Sequence, residues 1–127
     1  MTATLPDDPA LVDAATVLTA LAGNVHATAR EKGWFDDPSV TFGDRIALIH
    51  SEASEALEEF RAGHAPTEVY FNEDKPGKPE GVPAELADII IRVMDLSAFE
   101  GIDIGAAVAQ KIAFNRTRSY RHGGKVL

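Results

Sequence analysis

The stretch Glu85–Phe99, "ELADIIIRVMDLSAF", constrains the fold more than any other part of the chain. With Glu85 at 0° and about 100° per residue, Leu96, Ile89, Val93, Leu86 and Ile90 spread from roughly +20° to +140°. Met94 and Ile91 take the opposite side. A helix that is apolar almost all round is ordinarily buried. Yet Glu85, Asp88, Arg92 and Asp95 share one ridge along it. Burying uncompensated carboxylates costs several kcal/mol each. Arg92 can neutralise one of them; the rest need protonation, another partner or a metal ion. The triplet Ile89-Ile90-Ile91 has strand character, but its flanks carry helical spacing over about 17 residues, too long for a typical strand.

The other elements follow from their punctuation. Asp8 caps a first helix with Pro9 in its first turn, and Leu11, Ala15, Leu18, Ala22, Val25 and Ala29 form its apolar stripe up to Gly33. Thr41 caps a second helix that Gly63 ends. Pro66, Pro76, Pro79, Gly77 and Gly81 exclude a continuous helix between residues 64 and 82, leaving a long loop, either a lid or binding edge or a surface insertion, with room for a short hairpin around "EVYF". Pro83 opens the third helix and Asp103 caps the fourth. The joint "EGID" is short enough to make these two antiparallel neighbours. The expectation is an all-α, four-helix bundle in a single domain over 1–127. Its helices run at about 9–32, 42–62, 83–100 and 104–119, with a 64–82 loop and a basic 119–127 tail.

The second helix carries a second acidic ridge. With Glu52 at 0°, Ala56, Ile49, Phe60, Ala53, Ile46 and Leu57 fill an arc from roughly +40° to +140°, the expected core face. Glu52, Glu55 and Glu59 border that arc, whereas Glu58 points to solvent. Glu59 is a spare ligand, a base or a partner for Arg92. Glu52-x-x-Glu55 facing Glu85-x-x-Asp88 supplies hard oxygen ligands of the kind Mg²⁺ or Mn²⁺ takes. A di-iron bundle supplies Glu-x-x-His, which does not occur here. A lone E-x-x-E is a common solvated-face pattern; two pairs, one of them on an apolar helix, make the cage a serious reading.

The fourth helix adds the opposite charge. Lys111, Asn115 and Arg118 stand at i, i+4 and i+7 on one face with Ile104 and Val108, a face expected to look inward. Beside a carboxylate–metal cage, a cation, an amide and a guanidinium suit a polyphosphate ester. The plainer reading pairs Lys111 and Arg118 with the acidic ridges. From Ile104 to Leu127 there is no Asp or Glu, but Lys111, Arg116, Arg118, Arg121 and Lys125 are basic. That segment can hold a small polyanion or simply complement a helix dipole.

At these residues the chain resembles the MazG-like branch of the all-α nucleoside triphosphate pyrophosphohydrolases. "LIHSEASEALEEF" supplies Glu52 and Glu55, "ELAD" supplies Glu85 and Asp88, and "KIAFNRTR" supplies Lys111, Asn115 and Arg118. The ending "RSYRHGGK", with Lys125, is similar to bacterial and phage members. The resemblance implies hydrolysis of a nucleoside triphosphate, with dNTP the expected substrate, to the monophosphate and pyrophosphate. It also implies Mg²⁺ on the four carboxylates, a water nucleophile whose proton Glu52 or Glu55 takes, and a homodimer or homotetramer. Many members carry a further Glu where this chain has Ser51.

Bulk properties bound the alternatives. The 127 residues suit one domain, and the absence of cysteine excludes disulfides and thiolate metal sites. The net charge of −8 argues against a nucleic-acid partner. The N-terminus lacks a signal-peptide pattern and no apolar run reads as a membrane span, so a cytoplasmic protein with no membrane partner is expected. Trp34 and Phe35 either stack on a base or plug a helix end, and Tyr70 and Phe71 are similar candidates. His50 projects to solvent, and His122 lies in the basic tail. The principal rival is a non-enzymatic helical module that oligomerises or binds a partner.

Overall fold

In a computed structural model, residues 4–127 are described. They form α1 (Pro9–Glu31), α2 (Phe42–Arg61), β1 (Tyr70–Asn72), β2 (Lys75–Glu80), α3 (Val82–Glu100) and α4 (Ile104–Arg116), followed by a single turn, Arg121–Gly124, whose residues all have positive φ. Among the described residues the fold is mostly helical, with one two-stranded sheet. The helix starts are those the capping residues dictate. Asp8 accepts from Leu11 N, Thr41 and Asp44 form a reciprocal capping box, and Asp103 accepts from Ala106 N. Gly101, at φ 72°, ends α3 in the left-handed conformation.

α3 lies between α1 and α2, and α4 packs on α1. The buried apolar residues are mostly small: Ala15, Ala22, Ala29, Ala56 and Ala109, with Val82, Met94 and Leu96. An alanine seam lets helix axes approach closely, and the α1–α4 crossing is the extreme case. A Cβ on Gly105 would stand 1.9 Å from the Ala15 carbonyl oxygen. Gly105 N instead donates to Thr19 Oγ1 at 3.0 Å, and Thr19 Oγ1 donates to Asp103 Oδ1 at 2.6 Å. This seat holds α4 on α1, so α4 meets α3 only slightly. The expectation that α3 and α4 are antiparallel packed neighbours is thereby corrected, and the four helices do not close into a bundle within one chain. α4 also ends at Arg116 rather than near residue 119, where the Thr117 hydroxyl donates to the Phe114 carbonyl.

A second correction concerns the expected core face of α2. Glu52 and Ala56 are buried and Ile49 is half-buried, but Ala53 is exposed and Leu57 and Phe60 are 55% and 58% exposed. On α3, expected to be buried almost all round, Leu86 and Ile90 are 49% and 54% exposed, whereas Met94 is among the most buried residues. The seam between the two helices runs along the ridge that carries the Glu52–Arg92 pair, which turns the apolar arcs partly outward.

Contrary to the expectation of no membrane-length apolar run, the 23-residue α1 is long and apolar enough to cross a membrane by length and composition. Its alanine seam of Ala15, Ala22 and Ala29 is buried, with α1 packed on α3 and α4, while Val17 and Leu21 are 67% and 46% exposed. The segment 64–82 contains an antiparallel hairpin, with Tyr70 opposite Glu80, Asn72 opposite Lys75, and an irregular register between them. It delivers Glu80 to the start of α3. Gly81 there has φ 111°, and a Cβ on it would stand 2.4 Å from the Glu68 carbonyl oxygen.

Candidate metal centre and adjoining cleft

Glu52 from the middle of α2 meets Glu85 and Asp88 from the first turns of α3. One carboxylate oxygen of each lies within 4.8 Å of those of the other two. Arg92, one turn beyond Asp88, donates from Nε to Glu52 Oε1 at 2.5 Å. The carboxylates influence one another strongly. Burial disfavours ionised Glu52, but its hydrogen-bonded contacts with Glu55 and Arg92 outweigh this and hold it below the usual carboxylate range. The same contact with Glu52 raises Glu55. Burial, followed by the charge of Glu55 and the contact with Glu52, pushes Glu85 up to about 7. Burial and the charge of Glu52 raise Asp88.

The structure thus brings Glu52, Glu85 and Asp88 together. Glu55 is exposed beside Glu52 and Glu85, outside the tight group of three. An arrangement this rich in carboxylate has more negative charge than Arg92 can balance, and its donors are all hard oxygens. It can bind a metal ion, and Mg²⁺ or Mn²⁺ fits the donor set.

A second group shares Glu85: one oxygen each of Glu59, Glu80 and Glu85 also lies within 4.8 Å of the others. Glu59 is not the partner of Arg92. It accepts from the Tyr70 hydroxyl at 3.0 and 2.8 Å, and His64 Nε2 lies 3.7 Å away. That bond pushes the Tyr70 hydroxyl up to about 12. His64 stacks on Tyr70 at 4.4 Å and contacts Glu68 at 2.6 Å, tying the loop to α2. Lys78 pairs with Glu80 at 3.1 Å.

Glu52 and Asp88 of this group line a cleft of about 620 Å³ that runs past Asp95 to Arg45, Phe35 and Trp34. Trp34 is 73% exposed at its rim, so it is not a plug. Phe35 takes the packed position, with His26 against it at 4.5 Å and Phe99 at 4.7 Å. Behind the wall, His26 Nδ1 donates to Asp95 Oδ1 at 3.0 Å.

The α4 group lies elsewhere. Lys111, Asn115 and Arg118 are exposed, Lys111 and Arg118 flank Phe114 at 5.5 and 5.8 Å, and none of them lines the cleft. Their expected inward face is therefore turned away from the carboxylates of the same chain, because α4 is seated on α1. Lys125 and His122 are exposed in the tail, and His50 is exposed as expected. Sequence reasoning missed His26, Arg45 and Glu80. Arg45 carried a signal, since it precedes Glu52 by two turns on the same helical face. His26 is a single polar residue beside the apolar stripe of α1, and Glu80 sits in a hairpin without helical periodicity, so neither had one.

No family model and no solved structure matches the chain. A segment of 38 residues is 42% identical to a protein of cyanophage S-2L named dATP/dGTP diphosphohydrolase, covering 30% of this chain. The chain spans only about a third of that relative's length, 36%.

Proposed function

We propose that this chain is a Mg²⁺-dependent nucleoside triphosphate pyrophosphohydrolase that cleaves a (d)NTP to the monophosphate and pyrophosphate, a cytoplasmic nucleotide-pool house-cleaning enzyme. The observation that carries this reading is the convergence of Glu52, Glu85 and Asp88, of which Glu52 and Asp88 line one end of a cleft whose other end is aromatic. The phage relative's name supports a deoxynucleoside triphosphate as substrate.

In this reading Glu52, Glu85 and Asp88, completed by Glu55, hold the divalent ion. When bound, the ion would neutralise phosphate oxygens and, as a Lewis acid on them, make phosphorus more electrophilic. Glu52 is committed to Arg92, whereas Glu55 is open to solvent, so Glu55 is the better placed to take the proton of an attacking water. The triphosphate lies against the carboxylate end and the nucleoside extends toward Trp34. Lys111, Asn115, Arg118 and Lys125 bind phosphate oxygens in a homodimer or homotetramer. Assembly also covers the exposed arc of Leu57, Phe60, Leu86 and Ile90.

The test is pyrophosphate release from a panel of dNTPs and NTPs with Mg²⁺. Release that is lost in Glu85→Gln and Asp88→Asn supports the reading; no release from any nucleotide, or full activity in both variants, overturns it.

A further inference from the structure

The cleft holds two charged groups that the carboxylate cluster does not use. Asp95 and Arg45 both line it. Asp95 is fixed from behind: its Oδ1 accepts a hydrogen bond from His26 Nδ1, and the two side chains are only 19% and 13% exposed. Among the described residues its Oδ2 has no hydrogen-bond partner, so it can accept on the cleft side. The Arg45 guanidinium carbon stands over the Phe35 ring at 3.9 Å from its centroid, with Phe99 at 5.0 Å, and among the described residues it forms no ion pair. A carboxylate and an unpaired guanidinium thus flank one aromatic cluster, in a cleft with Trp34 free at its rim.

The geometry points to a guanine-reading pocket, with Asp95 and Arg45 as its specificity-determining residues and His26 as the positioning residue for Asp95. A planar base stacks on aromatic side chains whatever its identity, so Trp34 gives affinity without choice. The choice comes from the charged pair. Guanine presents two neighbouring N–H donors, N1–H and the 2-amino group, which match a carboxylate. Its O6 and N7 are adjacent acceptors that match an arginine fork. Adenine reverses both signs: its N1 acceptor would face the carboxylate and its 6-amino donor would face the guanidinium. Cytosine likewise sets its N3 acceptor against the carboxylate. The His26 bond matters because a carboxylate held in one orientation discriminates where a rotating one would adapt.

This inference rests on the nucleotide reading of the cleft but not on hydrolysis, so binding of the monophosphates tests it. Calorimetric titration of the full chain with dGMP, dAMP, dCMP and dIMP, with Mg²⁺ present, is the measurement. The expected result is dGMP binding about tenfold or more tighter than dAMP and dCMP. Inosine lacks the 2-amino group, so a weaker dIMP than dGMP makes the same deletion on the ligand side without touching the fold. Asp95→Asn is expected to bring dGMP and dAMP within about twofold of each other. Equal affinity for the four monophosphates, or no binding of any of them at millimolar concentration, overturns the pocket. Selective dGMP binding without pyrophosphate release from dGTP leaves the pocket standing and removes the hydrolase. Pyrophosphate release with no base preference does the reverse.

Discussion

Arg92 on α3 donates its Nε proton to Glu52 on α2, so the candidate metal centre carries one internal cation against several carboxylates. Glu52 is 6% exposed, and without Arg92 its charge would stay in the seam with only other acids beside it. Arg92→Met is therefore expected to lower metal-free stability by about 2 kcal/mol, as for a lost hydrogen bond to a charged group. Mg²⁺ should restore more stability to the variant than it adds to the wild type, because the ion then supplies the missing positive charge. Urea denaturation in EDTA and in Mg²⁺ measures both.

Glu85 makes metal-free stability depend on pH in a definite direction. Its folded carboxyl is pushed up to about 7 from an ordinary 4.5. Between those values the unfolded chain has lost this proton and the folded chain keeps it. The folded state then binds more protons, and stability falls as pH rises through that window. In EDTA the melting temperature should decline between pH 5 and 7, by about 2–4 °C more than in Glu85→Gln. Metal ligands must be deprotonated, so Mg²⁺ stabilisation should grow over the same window. Melting curves across pH with and without Mg²⁺ check the two opposite slopes.

Gly105 tests the helix arrangement. Its missing Cβ would meet backbone at Ala15, which cannot swing aside as a side chain can. Gly105→Ala is expected to cost about 3 kcal/mol and to loosen α4 from α1. Hydrogen exchange should show lost protection in α4 first, with α2 and α3 affected less.

Tyr70 anchors the hairpin by donating its hydroxyl to Glu59. Tyr70→Phe removes one bond to a charged group and should cost about 1.5 kcal/mol, with faster amide exchange confined mainly to residues 70–80. Uniform loss of protection over the whole chain would show that the hairpin is not an independent unit.

Phe60 and Ile90 stand on the apolar arcs left uncovered in one chain. If copies of the chain associate through these arcs, Phe60→Glu shifts the protein toward monomer in sedimentation at micromolar concentration. An unchanged sedimentation coefficient would place the interface elsewhere.

Local signals were read well from sequence and packing partners were not, for physical reasons. Asp8, Thr41 and Asp103 announced helix starts because caps act on backbone groups within one turn. The pairing of Glu52 with Glu85 and Asp88 was also legible, since helical spacing puts each set on one ridge and opposite ridges of acid are costly unless they share a cation. The placement of Lys111 and Arg118 was not. It depends on which helix α4 packs against, and that is decided by the close approach at Gly105, which helical periodicity does not reveal. The pairs His26–Asp95 and Arg45–Phe35 join residues far apart in the chain, or across a linker, and no spacing rule links them.

The most direct test of the central claim is pyrophosphate release from deoxynucleoside triphosphates by the purified full chain in Mg²⁺, beside Glu85→Gln and Asp88→Asn variants that still fold. The expected result is release by the wild type that stops in EDTA and falls at least about a hundredfold in both variants. No release from any nucleotide, or release that neither EDTA nor the two substitutions diminish, would contradict it.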